Sequence, residues 1–189
     1  MKLSILVCSL ENRAKKLERL MEIIRPQLTP EVEVLTEVDD GKMTIGGKRN
    51  LLVDKAKGEY VCFIDDDDLV PDYYVNEILQ ALQSSPDCVG IEGLIVLQET
   101  TVRKFIHSLA CGGWKFENDI YHRTPNHLNP ILRSKVLEVG FPEKDRSEDY
   151  EFSNAIFPLL ETEAMINKTM YFYLYQTKEL NENLIQICN

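Results

Sequence analysis

The chain has 189 residues, 44% of them hydrophobic and 28% charged, with a formal net charge of -10. That length suits one domain with a full core rather than two, and the composition excludes disordered and fibrous classes. The acidic balance argues against nonspecific nucleic-acid binding, because the basic clusters are as short as Lys15-Lys16 and Lys48-Arg49.

The apolar run Leu3 to Cys8 predicts a strand buried on both faces. A helix follows from about Arg13 to Arg25, with Leu17, Leu20, Met21 and Ile24 on one stripe and Pro26 ending it. Val32 to Val38 alternates like a second strand and closes on the turn Asp39-Asp40-Gly41. Gly46-Gly47 opens a second helix to about Lys57, with Gly58 as its expected C-terminal cap. Tyr60 to Ile64 is a third strand. Pro71 starts a helix to about Gln83, and Cys88 to Leu97 is a fourth strand. This βαβαβαβ order predicts a mostly parallel sheet with helices on both sides. Val102 to Ser108 and Trp114 to His122 then read as antiparallel strands, the latter turning at Glu117-Asn118-Asp119. Helices are expected over Arg133 to Val139, capped by Gly140, and from Ser147 to Phe157. Met170 to Tyr175 is the last strand.

None of the five cysteines, Cys8, Cys62, Cys88, Cys111 and Cys188, forms a CxxC pair. A zinc site is therefore not expected, and a reducing, cytoplasmic setting is. The N-terminal apolar run is short and leads into a charged helix, so it does not read as a signal peptide. No stretch has the length and apolarity of a transmembrane segment.

The most informative segment is Phe63-Ile64-Asp65-Asp66-Asp67-Asp68. Strand residues alternate sides, so Asp65 and Asp67 can point the same way at a strand's C-terminal end. Open α/β sheets bind ligands there. Crowded carboxylates repel one another unless a cation sits between them. A hard divalent ion, Mn²⁺ or Mg²⁺, takes oxygen ligands and binds phosphate oxygens, so the cluster predicts metal–diphosphate binding. Asp68 alone reads as structural.

These residues carry a family resemblance. Gly58-Glu59-Tyr60, the four aspartates and Pro71-Asp72-Tyr73 resemble the core signature of family 2 glycosyltransferases with the GT-A fold. Cys8-Ser9-Leu10-Glu11-Asn12-Arg13 resembles the family's first nucleotide-binding loop. Val38-Asp39-Asp40-Gly41 resembles its acidic turn, Lys48-Arg49-Asn50 its Ala-Arg-Asn segment, and Glu148-Asp149 its downstream acidic pair. The resemblance spans roughly residues 1 to 175.

It implies a single α/β domain with a mixed, mostly parallel central sheet flanked by helices. Residues 1–98 would form the nucleotide-sugar half and 99–189 the acceptor half. Asp65 and Asp67 would hold the metal. Asp66 would lie near the ribose, and Ser9, Glu11, Asp39, Asp40, Lys48 and Arg49 would contact the nucleotide. Asp149, with Glu148, would deprotonate the acceptor hydroxyl. The implied activity is an inverting, metal-dependent transfer from a nucleotide-sugar, a UDP-sugar by family frequency, to a hydroxyl acceptor. Processive-synthase motifs are absent, which favours a single transfer.

Trp114 and His127 are candidate acceptor-side residues, each with a packing role as its alternative. Two rival functions share the features. A haloacid-dehalogenase-like phosphatase also ends a strand on DxD, but lacks a preceding βαβα unit. A catalytically inactive nucleotide-sugar-binding domain would keep the fold without the transfer.

Overall fold

In the computed structural model, which describes residues 1–97 and 101–175, β1 is Leu3–Leu10 and β2 is Val32–Asp39, paired in parallel from Leu3↔Val32 to Leu10↔Asp39. On the other side of β1 lies β3, Tyr60–Phe63, also parallel. The side-chain alternation of these strands splits the core in two. Leu3, Ile5, Val7, Tyr60, Cys62 and Ile64 face one cluster, together with Leu20 and Ile24 of α1 (Ala14–Ile24) and Ile78 of α3 (Tyr74–Ala81). Leu6, Cys8, Val61 and Phe63 face the other. There they meet α2 (Ile45–Lys55), α4 (Arg133–Val139) and α5 (Glu148–Ile156) through Leu52, Val136 and Phe152. Burial of both faces explains why β1 reads as a continuous apolar run.

The sheet is mixed, in the order β2-β1-β3-β8-β4-β5-β7-β6, with β9 paired to β4. The parallel run does not pass directly from β3 to β4, Cys88–Leu97. A two-residue strand, β8 (Ile131–Leu132), lies antiparallel to both. β5 (Thr101–His107) is antiparallel to β4 but parallel to β7 (Ile120–Arg123). The antiparallel hairpin is β6 (Lys115–Glu117) with β7, turning on Asn118 and Asp119 at φ 52° and 62°. Two successive positive φ values are what a tight hairpin needs, and Asn and Asp tolerate them best. β9, Glu163–Tyr175, runs parallel along β4 with register shifts at Glu92. It is longer than the expected Met170–Tyr175, because Asn167 and Lys168 break its apolar pattern.

Other differences are local. Pro71 to Tyr73 form a turn, with the Tyr74 N–H on the Pro71 carbonyl, before α3 begins. α2 starts at Ile45, capped by the Thr44 hydroxyl, which accepts from the Gly47 N–H. Gly58 is not the cap of α2, which ends at Ala56. A side chain at Gly58 would lie 2.5 Å from the Ser4 nitrogen, so glycine lets the connection pass against β1. The four described cysteines are free thiols. Among the described residues no helix is long and apolar enough to cross a membrane.

Candidate active site

The strand ends of β1 and β3 open onto a cleft, and the four aspartates alternate into it. Asp65 and Asp67 are 32% and 38% exposed, whereas Asp66 and Asp68 are each 1% exposed. Asp68 is structural. It accepts from the Tyr171 hydroxyl at 2.8 Å and the Leu174 N–H at 2.8 Å, fastening β9 beneath the cluster. Burial and the repulsion of Asp65 push its carboxyl well above the usual range. Asp66 accepts from the Ser9 hydroxyl at 2.5 Å and pairs with Arg13 at 2.9 Å, and burial raises its carboxyl too.

The exposed pair is neutralised from two helices. Arg13 and Lys16 reach Asp67 from the start of α1, and Arg19 donates to its carbonyl at 2.8 Å. Arg49 of α2 meets Asp65 at 3.3 Å, and His127 Nε2 lies 3.5 Å from its other oxygen. Burial alone would raise the Asp65 carboxyl. The neighbouring His127, Arg49 and Arg13 outweigh it and hold the group well below the usual carboxylate range.

The residues expected around the nucleotide fall into two groups. Ser9, Lys48 and Asp39 form one network. Lys48 Nζ donates to the Ser9 carbonyl at 3.0 Å and to Asp39 at 2.6 Å. This hydrogen bond, with the Met43 N–H, lowers the Asp39 carboxyl to about 2. Glu11 and Asp40 are exposed, Asp40 paired with Lys42 at 2.7 Å.

Arg49 joins the two halves of the cleft. Its other nitrogen binds Glu148 at 2.8 Å, both side chains being buried. α2 is also fastened to the segment before α5. Asn50 bonds both the Phe141 N–H and carbonyl, and Ile45 N–H donates to Asp145. Gly46 packs so closely on Pro142 that an added Cβ would lie 1.9 Å from its carbonyl oxygen. Ser147, at the N-terminus of α5, has φ 60° and makes no side-chain cap. Such strain is held by its surroundings and sits next to Glu148 and Asp149.

Two cavities meet at this wall, sharing Arg49, Asp65, Asp145, Glu148 and Tyr173. One, of about 320 Å³, contains the four aspartates, Arg13 and Cys8. The other, of about 280 Å³, is lined by Ile95, Phe105 and Leu128 and by Asp149, Arg123, Asn126, His107 and His127. Thus Asp65 and Asp67 line the same cavity, and Asp149 lines the second, which shares Asp65, Arg49 and Glu148 with the first. Trp114 lines neither cavity. Its Nε1 donates to Ser153 at 3.1 Å and its ring packs edge-on against Tyr150, which makes it an anchor for the β6 segment on α5. His127 does line the second cavity, buried beside Asp65.

Arg13, His107, Arg123 and Asn126 went unnoticed in the sequence as site residues. Arg13 closes the first loop motif, and its position about one helical turn before Lys16 and two before Arg19 was the available signal. The other three carry no motif, because β5, β7 and the 124–129 segment converge only in three dimensions.

Residues 39–136 match the family model described as glycosyl transferase family 2. No curated protein sequence matches the chain. Among solved structures, Staphylococcus aureus TarS residues 1–349 in complex with UDP-GlcNAc superposes with a TM-score of 0.72 at 18% identity, over 98% of this chain and 61% of that one. The same protein in complex with UDP gives 0.70 at 18% identity, over 92% and 60%. This chain therefore spans about three fifths of the length of those structures, and at such identity the likeness speaks for the fold.

Proposed function

The chain belongs to glycosyl transferase family 2, and from that premise we propose that it transfers a sugar from a nucleotide-sugar donor, a UDP-sugar, to an acceptor hydroxyl with inversion. The observation that carries the reading is the cleft with two lobes: a carboxylate-and-guanidinium lobe at the tip of β3, and a second lobe ending on Asp149. The complexes of TarS with UDP-GlcNAc and UDP support the donor class. Family membership sets aside the phosphatase alternative.

Asp65 and Asp67 are the residues that would hold Mn²⁺ or Mg²⁺. Their partly exposed oxygens are hard ligands facing the first lobe. Among the described residues no group of three or more His, Cys, Asp or Glu is gathered to hold an ion unaided. The remaining ligands would then be water and the donor's phosphates, as is usual for Mg²⁺. When bound, the ion supplies charge neutralisation for the diphosphate leaving group.

The chain's own residues do the rest. Ser9, Asp39 and Lys48 form the rigid floor against which the nucleotide would rest, with Glu11 and Asp40 at its rim and Asp66 toward the ribose. Arg13 offers a guanidinium to the diphosphate. Arg49 holds Asp65 and Glu148 in fixed positions, so the two lobes keep their separation. Asp149 takes the proton of the acceptor hydroxyl as its oxygen bonds to the anomeric carbon. The bond from that carbon to the diphosphate breaks, and the nucleoside diphosphate leaves. Attack from the face opposite the leaving group inverts the anomeric centre.

The test is UDP release from a panel of UDP-sugars with Mn²⁺, comparing the native chain with Asp149→Asn. Turnover should fall by about 10²–10⁴-fold in the variant while donor binding persists. Donor binding without any turnover by the native chain would favour an inactive binding domain instead.

A further inference from the structure

Among the described residues, the second lobe contains polar groups whose pairing within the fold is incomplete. His107, Asn126 and His127 are 1%, 0% and 6% exposed and all line it. Both His107 ring nitrogens, Asn126 Nδ2 and His127 Nδ1 complete no hydrogen bond of ordinary geometry, and His107 meets only the side chains of Asn126 and Asn129 in looser contact. Buried polar groups are nearly always paired, so several orphans around one cavity point to a ligand that pairs them. Burial pushes the His107 imidazole well below its usual range, so it faces the cavity as a neutral ring.

Among the described residues the cation beside them also lacks a carboxylate bonded to it. Arg123 lines the same cavity and lies with its guanidinium 4.4 Å from the Trp114 ring centroid. Among the described residues it has no hydrogen-bonded or ion-paired carboxylate, although burial disfavours its charge and the nearby Asp149 supports it. The other carboxylates of the wall are occupied: Glu148 and Asp65 by Arg49, and Asp145 by the Ile45 N–H. Arg146 adds a second cation at the exposed rim. A guanidinium held over an aromatic ring, with donors unpaired among the described residues, is a fork preorganised for a carboxylate or phosphate.

We infer that the second lobe takes an acceptor carrying an anionic group, a carboxylate or a phosphate, with Arg123 binding that group and His107 and Asn126 binding its neighbouring hydroxyls. The inference rests on the reading of this lobe as the acceptor side. The anionic group lies against Arg123, and the reactive hydroxyl lies toward Asp149. A cavity of about 280 Å³ suits one small unit of such an acceptor rather than an extended chain.

The experiment titrates the chain, saturated with UDP, with glucose, glucuronate and glucose 6-phosphate. At least one anionic probe should bind about tenfold tighter than glucose or better. Whether glucuronate or the phosphate wins identifies the anion. Arg123→Met, which keeps an apolar stem against Trp114, should abolish the preference, and Arg123→Lys should restore part of it. Equal binding of all three probes, or an unchanged preference in Arg123→Met, would overturn the inference. The Arg123 Nε–H resonance of the native chain gives a readout independent of any variant. It should move with the anionic probes and not with glucose, and a resonance that ignores them overturns the inference as well. UDP stabilisation without anion preference sinks this inference alone; anion preference without UDP stabilisation sinks the proposed donor chemistry instead.

Discussion

At the β3 end of the cleft nearly every carboxylate has a partner: Asp66 with Ser9 and Arg13, Asp67 with Arg13 and Lys16, Asp68 with Tyr171, Asp39 with Lys48. At the β5 end Arg123 is unpaired among the described residues, and His107, Asn126 and His127 hold orphan nitrogens. The first region is tied together by the chain itself, so its polar residues stabilise the fold as well as shaping a site. The second leaves polar groups for something else to satisfy. Substitutions in the first should therefore cost stability, and substitutions in the second should cost binding with little loss of stability.

The sharpest contrast is between two arginines. Arg49→Met would leave Glu148 buried without its cation and should destabilise the chain by about 3–5 kcal/mol in urea denaturation. Arg123→Met removes a cation with no ion pair among the described residues and should cost less than about 1 kcal/mol. Equal losses would break the comparison. Between these, Asp68→Ala strands the Tyr171 hydroxyl and the Leu174 N–H, and should cost about 1–3 kcal/mol.

A smaller effect is read from pH. The Asp39 carboxyl is lowered to about 2 by Lys48. A depressed carboxylate contributes stability above its unfolded value of about 3.9, and that contribution is lost as pH falls through its folded value. Between about pH 4 and pH 2 the native chain should therefore lose stability that Lys48→Met does not lose. Parallel pH profiles would mean that the Lys48–Asp39 pair is not maintained in solution. The smallest expected change is Ser147→Gly. Relief of a left-handed serine should offset the gain in unfolded-chain freedom, keeping stability within about 1 kcal/mol.

The contrast also explains what the sequence made legible. The β3 end is written in consecutive residues, so four aspartates after an apolar strand located it, and alternation put Asp65 and Asp67 on one side, although the four lie in a turn just beyond β3. The buried β1 and the helix stripe of Leu17, Leu20 and Ile24 were legible for the same reason: their periodicity is local. The β5 end is assembled from Phe105, His107, Arg123 and Asn126, which no spacing rule links. β8 escaped because two residues carry no period, and the parallel pairing of β5 with β7 because strand direction depends on the whole chain path. Trp114 stood in a segment where stacking on a sugar and packing were equally compatible with the sequence. Its bond to Ser153, 39 positions away, was the missing information.

The most direct test of the donor reading is a thermal-shift titration of the native chain with UDP, with and without Mn²⁺, beside Asp65→Asn and Asp67→Asn. Tm should rise with UDP only when Mn²⁺ is present, and the rise should disappear in both variants. Indifference of the native chain to UDP and every other nucleoside diphosphate, with metal present, would contradict that reading.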